Sequence, residues 1–450
     1  MSSESGLTEI IALADLISRT VKDVVAEYTV AGVPMPSLSS TAPGPFDTPE
    51  TTSPKLARAV RILDAACAQL SFSVGSPGHV VTNKSYGCEE PACMLVATDA
   101  KIADLLLDKP AGVHVDELGL KTGIDPGKLG RVLRLLATNH CFTEVQPNVY
   151  ANNRLSMKLL SSDPVAGVVG HMADESSKAC NALNETLKDP ETTSSMLPDA
   201  SAFKRAHGCT IFEFYGLPEQ KARGQRFNNA MVGWGAVTSK GTLPKMYPWG
   251  SLPEDTIVCD VGGNNGHATV EVLKAFPHLK LIVQDLPKVV EAGPEFLRKD
   301  TAMSTALKQR VEYVPLDFFG ELPVKACDVY YLRHVLHDWA ADECKKILDN
   351  VRKAVKPSSR ILIHEIVLQH ISRESGVEGE FEKAPEPLLP NFGVGRVRAY
   401  NQDINMMSSV NSQERTLPQF ISMGALSGFD FVKVLEGPGD VALMEFVPRV

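Results

Sequence analysis

The sequence predicts an α/β protein in which an open, mostly parallel sheet is covered by helices and preceded by a smaller, helical domain. The stretch from Thr256 to Asp285 is the clearest evidence, because an apolar strand, a glycine turn, a helix and a second apolar strand follow one another there. Strands and helices then alternate as far as residue 368, and a pair of strands closes the chain. Before residue 256 the apolar residues follow helical spacing instead.

The length of the chain and its apolar content predict several domains. The chain has 450 residues, of which 44% are hydrophobic, so it can bury a sizeable core. We place N-terminal helices and an irregular arm at 1–95, a winged-helix domain at 96–200 and the nucleotide-binding domain at 201–450.

Charge and composition limit which kinds of binding partner and which cellular compartment we expect. The net charge of -9 and the pI of about 5.7 argue against broad attraction to nucleic acid or anionic membrane. No apolar run approaches the roughly 20 residues that span a bilayer. The N-terminus lacks the basic start and apolar core of a secretory signal, so we expect a cytoplasmic protein. The nine cysteines form no CxxC pair and no zinc-ligand spacing, which favours reduced thiols.

The first part of the chain is predicted to form helices on either side of an irregular segment. Apolar residues at steps of three and four predict helices at 7–28, 56–72 and 98–107. The stretch 34–54 is rich in Pro, Ser and Thr, which favours an irregular arm.

Residues 114–153 predict a winged helix. A helix at 114–120, a turn and a helix at 125–137 form a helix-turn-helix, and 141–153 reads as a two-stranded wing. A winged helix suggests DNA binding, but the second helix lacks the aromatic or amide cluster that reads base edges. On an acidic chain with a cofactor domain, we favour a module through which two subunits form a homodimer.

The glycine turn after the first strand indicates which nucleotide binds. Gly262, Gly263 and Gly266 do not match the GxGxxG spacing of a dinucleotide site, which disfavours a nicotinamide oxidoreductase. Asp260 at the end of the strand would repel a phosphate and suits the cationic groups of S-adenosylmethionine. Asp285, at the end of the second strand, is then expected to accept hydrogen bonds from the ribose hydroxyls.

The later strands supply further candidate residues for cofactor binding. Asp317 and Phe318 follow a short strand at 311–314, where they can hydrogen-bond and stack on an adenine. Arg333 ends the fourth strand and is predicted to be a cation beside the cofactor or a structural one. The polar segment 370–395 is predicted to be a surface excursion or lid.

Two groups of residues are candidates for binding the acceptor molecule. Phe227, Met231 and Trp234 recur at helical spacing and form either the floor of a pocket for a flat aromatic ligand or an ordinary buried helix face. Asp338, with the tryptophan after it, is expected to cap the following helix and to seal the site.

His337 is the predicted general base. It lies just past the carboxyl end of a strand, on the side of the sheet expected for Asp260. A phenol has a pKa near 10, so methylation of its oxygen at neutral pH benefits from a base such as an imidazole. Glu365 and Glu414 are the two acids that can orient or polarise the ring. His334 is interpreted as a structural residue; it could share a metal with His337, but no third ligand stands at a recognised spacing, so no metal is predicted.

Five segments together resemble the caffeic-acid-type O-methyltransferases, and the fungal members most of all. They are DVGGNNGH, QDLP, LRHVLHDW, HEIV and QERT, which begin at residues 260, 284, 332, 364 and 413. The resemblance runs from about residue 95 to the C-terminus. It implies a seven-stranded Rossmann-like sheet that binds S-adenosylmethionine, a winged-helix domain that joins two subunits, and an aromatic natural product as acceptor. It also implies that His337 is the base, flanked by Glu365 and Glu414, and that Met231 lines the acceptor pocket.

Two other functions stay open at this point. Some fungal relatives of this fold bind the cofactor without consuming it and catalyse a rearrangement, as a cyclase or pericyclase. The histidine with its two glutamates argues against that reading, since such a base serves deprotonation. The other alternative is a DNA-binding regulator that uses the winged helix.

Overall fold

The computed structural model describes residues 3–373, 381–437 and 439–449, and the chain divides into two compact units, one up to Thr238 and one from Ser239 onwards. The helix Lys221–Thr238 therefore belongs to the first unit, whereas the sequence placed it in the third domain. The three-domain division itself stays a prediction. No helix among the described residues is long and apolar enough to cross a membrane.

The first unit begins with helices at Ser3–Ala31, Pro54–Val74, Pro77–Ser85, Glu89–Asp99 and Ile102–Leu105. The predicted single helix at 98–107 is wrong, because Lys101 takes a left-handed conformation (φ 52°) that interrupts it. The predicted arm at 34–54 carries no helix or strand until Pro54 begins the second helix, and Phe46 packs edge-on against Tyr28 with ring centroids 4.9 Å apart.

The predicted winged helix is confirmed. It comprises strand β1 (Val113–His114), helices Val115–Thr122 and Pro126–Thr138, and strands β2 (Thr143–Gln146) and β3 (Val149–Ala151). The wing is the predicted pair of strands, β2 and β3, and β1 adds a third strand by pairing with β3 in the order β1-β3-β2. Asp125 accepts a hydrogen bond from the backbone N–H of Lys128 and so caps the second helix.

Nine short helices and one of 18 residues, Lys221–Thr238, form the described remainder of this unit. They are Ser156–Leu159, Pro164–His171, the π-helical turn Met172–Ser176, Ser177–Asn181, Leu183–Lys188, Pro198–Ala200, Ala202–His207, Ile211–Gly216, Pro218–Gln220 and Lys221–Thr238.

The second unit contains the predicted seven-stranded sheet. Its strands are β4 (Ile257–Val261), β5 (Lys280–Asp285), β6 (Val311–Pro315), β7 (Val329–Arg333), β8 (Arg360–Leu368), β10 (Phe429–Glu436) and β11 (Val441–Pro448), while the two-residue β9 (Arg415–Thr416) pairs with β8. The order is β10-β11-β8-β7-β4-β5-β6. The five strands from β8 to β6 are parallel, and β11 and β10 add an antiparallel edge. The expected α/β class is confirmed.

Helices cover both faces of this sheet. They are Leu243–Met246, Trp249–Ser251, His267–Ala275, Pro287–Val290, Gly293–Lys299, Thr305–Lys308, Leu336–Asp338, Ala341–Ala354, Gly393–Arg396, Val397–Val410 and Leu417–Leu426. Strand β7 shows why helices are needed on both faces, because its side chains are buried alternately on the two sides of the sheet. Tyr330 and Leu332 belong to one core, and Val329 and Tyr331 belong to the other. A strand buried on both faces reads as a continuous apolar run.

The segment at 370–395 differs from the predicted surface excursion. Residues 374–380 lie outside the described residues. In the described part, Phe381, Leu388 and Phe392 are at most 5% exposed. These apolar side chains anchor the described part of the segment to the second unit, so it is not a surface excursion there, and its role as a lid stays a prediction.

Candidate active site

The sheet order creates a crevice at the carboxyl ends of β4 and β7. From β4 the chain proceeds outward to β5 and then β6, and it returns to place β7 on the other side of β4. The loops that follow β4 and β7 therefore diverge. Ligands of open parallel sheets bind at such a switch point.

The glycine turn after β4 forms one side of the crevice. Gly262 has φ 73°, and a Cβ there would lie 2.7 Å from Cγ2 of Val335 in the loop after β7. The backbone N–H groups of Gly262 and Gly263 both donate to the carbonyl of Gln284. Gly266, at φ 79°, begins the helix His267–Ala275. Glycine is needed at Gly262 and Gly266 because both combine a left-handed backbone with close neighbours.

Asp260 lies beneath this turn. Its side chain is 2% exposed, and Oδ2 accepts a hydrogen bond from the Thr269 hydroxyl at 2.7 Å. A Cβ on Gly263 would meet the carboxyl group at 2.5 Å, so the turn rests directly on it. Burial raises the pKa of Asp260 to about 7. The carboxyl group thus supports the turn, and its direct contact with a cofactor stays a prediction.

The tips of β5 and β6 bring the other predicted cofactor residues to the same edge. Asp285 accepts the backbone N–H of Asn264 through Oδ2 and that of Leu286 through Oδ1, at 2.9 and 2.7 Å. The Phe318 ring approaches the Gly262 turn, since a Cβ there would lie 3.6 Å from Cε1 of the ring. Asp317 is exposed and accepts the backbone N–H of Phe319.

Arg333 ends β7 and is tied to neighbours in its own unit. Its guanidinium donates to the hydroxyl of Ser239 and lies 3.1 Å from Nε2 of His267. Its Nε is buried without a hydrogen-bond partner among the described residues. The side chain is therefore held at the crevice and keeps one N–H to offer.

His337 lies in the turn Leu336–Asp338, just beyond β7, and is 8% exposed. Its Nδ1 is 2.9 Å from Oε1 of Glu414, and its Nε2 is 3.7 Å from Oδ1 of Asp338. Burial alone lowers the pKa of His337, but the negative charges of Glu414, Asp338 and Glu365 outweigh it and raise the pKa to about 10. The free protein therefore holds an imidazolium here at neutral pH.

The two predicted acids occupy different places around this ring. Glu414 makes the hydrogen bond to His337. Glu365, which is fully buried in β8, accepts the backbone N–H groups of Val335 and Leu336 through Oε1, at 3.0 and 2.9 Å. Its Oε2 lies 3.4 Å from Nδ1 of His334. Glu365 thus fixes the backbone that carries the histidines, and burial raises its pKa.

Arg415 belongs to the site but was missed in the sequence. Its side chain is 2% exposed and donates to the carbonyl oxygens of Leu336 and Trp339, each at 2.6 Å. It therefore clamps the turn that carries His337 from both sides. Its position directly after Glu414 was the available signal, yet an arginine in a polar loop is usually interpreted as a surface charge.

The predicted helix cap at Asp338 is wrong. The helix Ala341–Ala354 begins after Ala340, and its first turn carries Asp342 and Glu343. Asp338 instead faces the His337 ring. Trp339 packs edge-on against Phe319, with centroids 4.7 Å apart, and thereby closes the wall behind Phe318.

The predicted acceptor residues of the first unit lie on one helix, as their spacing indicated. Phe227 stacks on Tyr215, with centroids 4.5 Å apart, and meets His171 edge-on. Met231 is 44% exposed within the chain, and Trp234 is half-buried. Met231 is thus not part of an ordinary buried face, while the pocket role of all three residues stays a prediction.

Two family models match the chain. The model of the O-methyltransferase domain matches residues 185–381, and that of the O-methyltransferase dimerisation domain matches residues 85–162. The second match covers the winged helix, so the DNA-binding alternative is not favoured.

Several known proteins are similar over nearly the whole chain. A protein named 3-O-methyltransferase 2 from Phanerochaete chrysosporium is 49% identical, covering 97% of this chain and 96% of its own. The O-methyltransferase tpcA of Aspergillus fumigatus is 30% identical, covering 98% and 96%.

Solved structures agree on the fold. The mitomycin 7-O-methyltransferase MmcR is 24% identical with a TM-score of 0.66, covering 82% of this chain and 97% of its own. A complex of LepI with S-adenosylmethionine is 21% identical with a TM-score of 0.69, covering 87% and 94%. The identities of 49% and 30% to fungal O-methyltransferases over nearly the whole chain show that it belongs to the caffeic-acid-type family of S-adenosylmethionine-dependent O-methyltransferases of secondary metabolism.

Proposed function

We propose that this protein transfers the methyl group of S-adenosylmethionine to a phenolic hydroxyl of a small aromatic natural product, with His337 as general base. The observation that carries the proposal is the hydrogen bond between His337 Nδ1 and Glu414 Oε1 at the mouth of the crevice. A carboxylate on one imidazole nitrogen fixes the tautomer in which the other nitrogen, Nε2, accepts a proton. The 3-O-methyltransferase named above supports the reaction class.

The chemistry needs a proton acceptor and a methyl donor. S-adenosylmethionine supplies the methyl group on a positively charged sulfur. His337 Nε2 takes the proton of the phenol as the phenol oxygen attacks the methyl carbon, the carbon–sulfur bond breaks, and S-adenosylhomocysteine leaves. Glu414 stabilises the imidazolium that forms. Asp338, 3.7 Å from Nε2, adds a second negative charge beside it. No metal ion is needed for this transfer.

The high pKa of His337 in the free protein is compatible with a role as base once a positively charged cofactor is bound in the crevice. Three carboxylates hold the proton on the ring. A positive charge in the same crevice disfavours the imidazolium and lowers the pKa of His337. A cationic cofactor thus favours the neutral form that acts as a base, and the base is released only in the loaded enzyme.

We assign the remaining residues by their place in each unit. The glycine turn (Gly262, Gly263, Gly266) over Asp260, with Asp285, Asp317, Phe318 and Arg333, would hold the cofactor. Phe227, Met231 and Trp234, with Asp338, would contact the acceptor. The dimerisation domain favours a homodimer. The cytoplasmic location remains a prediction from the sequence.

A transfer assay tests the proposal. Purified protein is incubated with S-adenosylmethionine labelled in the methyl group and a panel of simple phenols, and labelled product and S-adenosylhomocysteine are measured. We expect transfer to at least one phenol and a loss of about two orders of magnitude or more in kcat for His337→Ala. His79→Ala, a change at an exposed histidine, is the control and should retain full activity. Near-normal activity of His337→Ala would remove that residue from its role.

The rearrangement alternative gives a different result in the same assay. A solved neighbour, titled a pericyclic reaction enzyme, has a TM-score of 0.69 at 21% identity, which bears on the fold alone. A cyclase that only binds the cofactor releases no S-adenosylhomocysteine with any acceptor. The His337–Glu414 pair favours transfer instead.

A further inference from the structure

Two histidines and a buried glutamate meet beside the crevice. One ligand atom each of His334, His337 and Glu365 lies within 4.8 Å of the other two. The imidazole rings are tilted by 32°, with centroids 5.1 Å apart, and His334 Nδ1 is 3.4 Å from Glu365 Oε2. Glu365, from the neighbouring strand β8, thus places beside the two histidines a carboxylate that their spacing in the sequence did not reveal.

The polar atoms of this cluster are unusually short of partners. Both ring nitrogens of His334 and Oε2 of Glu365 are buried without a hydrogen-bond partner in the part of the chain that the structure describes. Glu365 itself is fully buried. Buried polar atoms are normally paired, because leaving one unpaired costs roughly 1–3 kcal/mol. Of these atoms, His334 Nδ1 and Glu365 Oε2 lie 3.4 Å apart, while Nε2 is on the opposite side of the His334 ring.

His334 is also held in a strained conformation. Its φ of 51° lies in the left-handed region, which is costly for a residue with a side chain. Such strain persists only where the surroundings impose it, and it concentrates at ligand and active sites. Here the backbone is held by Glu365, which binds the next two N–H groups.

The donor set matches a borderline transition metal ion. Zn²⁺ takes imidazole nitrogen and carboxylate oxygen at about 2.0–2.2 Å in a tetrahedral arrangement, which puts neighbouring donor atoms roughly 3.4 Å apart. His334 Nδ1 and Glu365 Oε2 already have that separation. A metal-binding histidine usually directs its other nitrogen to a carboxylate, as His337 Nδ1 does towards Glu414. Asp338, 3.7 Å from His337 Nε2, offers a further oxygen.

We infer that His334, His337 and Glu365 form a binding site for a divalent transition metal ion of the zinc class, and that its occupancy inhibits methyl transfer. The inhibition rests on the proposed function, because a metal on His337 occupies the nitrogen that would accept the proton. The binding rests on geometry alone. Mg²⁺ and Ca²⁺ prefer sites made of oxygen ligands and are not expected to bind here.

Co²⁺ provides a direct test of binding, because its visible absorption bands report tetrahedral coordination by nitrogen and oxygen. The full-length protein is treated with a chelator, desalted and titrated with Co²⁺. We expect one equivalent to give these bands and Zn²⁺ to abolish them, while Mg²⁺ leaves them unchanged. His334→Phe and Glu365→Gln should each weaken Co²⁺ binding at least tenfold.

Two comparisons separate the site from other effects. Glu365→Gln keeps an oxygen that can accept the N–H groups of Val335 and Leu336, so loss of binding with an unchanged melting temperature points to the ligand. His114→Asn removes an exposed histidine 3.3 Å from Asp116 and should leave the Co²⁺ spectrum intact. Absence of the bands in the wild type, or equal bands in His334→Phe, would overturn the site.

The activity arm uses the ratio of methyl transfer with and without Zn²⁺. We expect a ratio well below one for the wild type, restored by chelator, and a ratio near one for His334→Phe. A wild type that binds Co²⁺ but transfers methyl equally well with Zn²⁺ would overturn the inhibitory role. Absence of all transfer would instead contradict the proposed function, and the Co²⁺ titration would still decide the site.

Discussion

Nδ1 of His337 lies 2.9 Å from Oε1 of Glu414, although the two residues are 77 positions apart in the chain. The histidine follows β7, and the glutamate precedes the short strand β9, which pairs with β8 next to β7. The backbone N–H of Glu414 is in turn held by Asp403 at 2.8 Å. The pairing of β9 with β8 thus places a fixed carboxylate at the Nδ1 edge of the imidazole.

Glu414→Gln should separate the charge of this pair from its shape. We expect kcat to fall by about 10- to 100-fold, less than the loss of the base itself, because an amide can still orient the ring but cannot stabilise an imidazolium. In the wild type kcat/KM should rise with pH towards the pKa of His337, about 10 in the free protein. Removing a negative charge lowers that pKa, so the rising limb should move to lower pH.

The control for this pH profile is Glu445→Gln. Glu445 lies in strand β11, outside the crevice, and accepts a hydrogen bond from the Tyr247 hydroxyl. Like Glu414, it is buried, with 5% of its surface exposed. Its variant should keep the wild-type midpoint. An unchanged midpoint in Glu414→Gln would contradict the assignment of Glu414 as the dominant charge on His337.

Local patterns were sufficient to predict most of the fold. The strands of the sheet are continuous apolar runs because both faces are buried, and such runs are visible in sequence. The break at Lys101 was not visible, since a left-handed residue within an apolar repeat depends on packing around it. Similarly, the polar stretch after residue 380 hides Phe381 and Phe392, because two buried side chains among many polar ones give no periodic signal.

The candidate site was predictable as a set of residues but not as a set of roles. Chemistry alone marks His337, because it is a titratable group just past a strand end, and Glu365 and Glu414, because they are acids that could orient its ring. Which acid reaches the imidazole depends on the path of the backbone between them. In the structure Glu414 contacts the His337 ring, whereas Glu365 accepts a backbone N–H of the turn that carries it. The clamp by Arg415 depends on two carbonyl groups, which a sequence does not locate.

Gly262→Ala should destabilise the second unit and weaken cofactor binding. The added Cβ would lie 2.7 Å from Val335 and would also require a left-handed φ of 73°. Strain and overpacking together should lower the free energy of unfolding by about 2–4 kcal/mol, measured by urea denaturation.

Gly123→Ala is the matched control for that change. Gly123 has the same φ of 73° but no atom within 4 Å of its added Cβ, so backbone strain acts alone. We expect a loss of about 1 kcal/mol there. Equal losses in the two variants would show that the contact with Val335 does not restrict the turn.

Arg415→Met should lower stability more than an ordinary loss of an ion pair. The change leaves the buried carbonyl groups of Leu336 and Trp339 without their donor, at roughly 1–3 kcal/mol each. Arg449→Met is the comparison, because Arg449 and Asp430 are both about half exposed and pair at the surface. We expect less than about 1 kcal/mol for that variant. Similar urea midpoints for both variants would argue against the clamp.

Asp285→Asn should weaken binding of S-adenosylhomocysteine. Each carboxylate oxygen of Asp285 accepts one backbone N–H, from Asn264 in the glycine turn and from Leu286. An amide has a single acceptor oxygen, so one of these bonds is replaced by two facing donors, and the charge available to ribose hydroxyls is lost. A charge-assisted hydrogen bond contributes about 1.5–3 kcal/mol, so we expect Kd to rise about 10- to 100-fold by titration calorimetry. Asp300→Asn is the control, since Asp300 also accepts a backbone N–H, from Ala302, but lies away from the tips of the strands. Equal Kd values for Asp285→Asn and the wild type would mean that the tip of β5 takes no part in holding the cofactor.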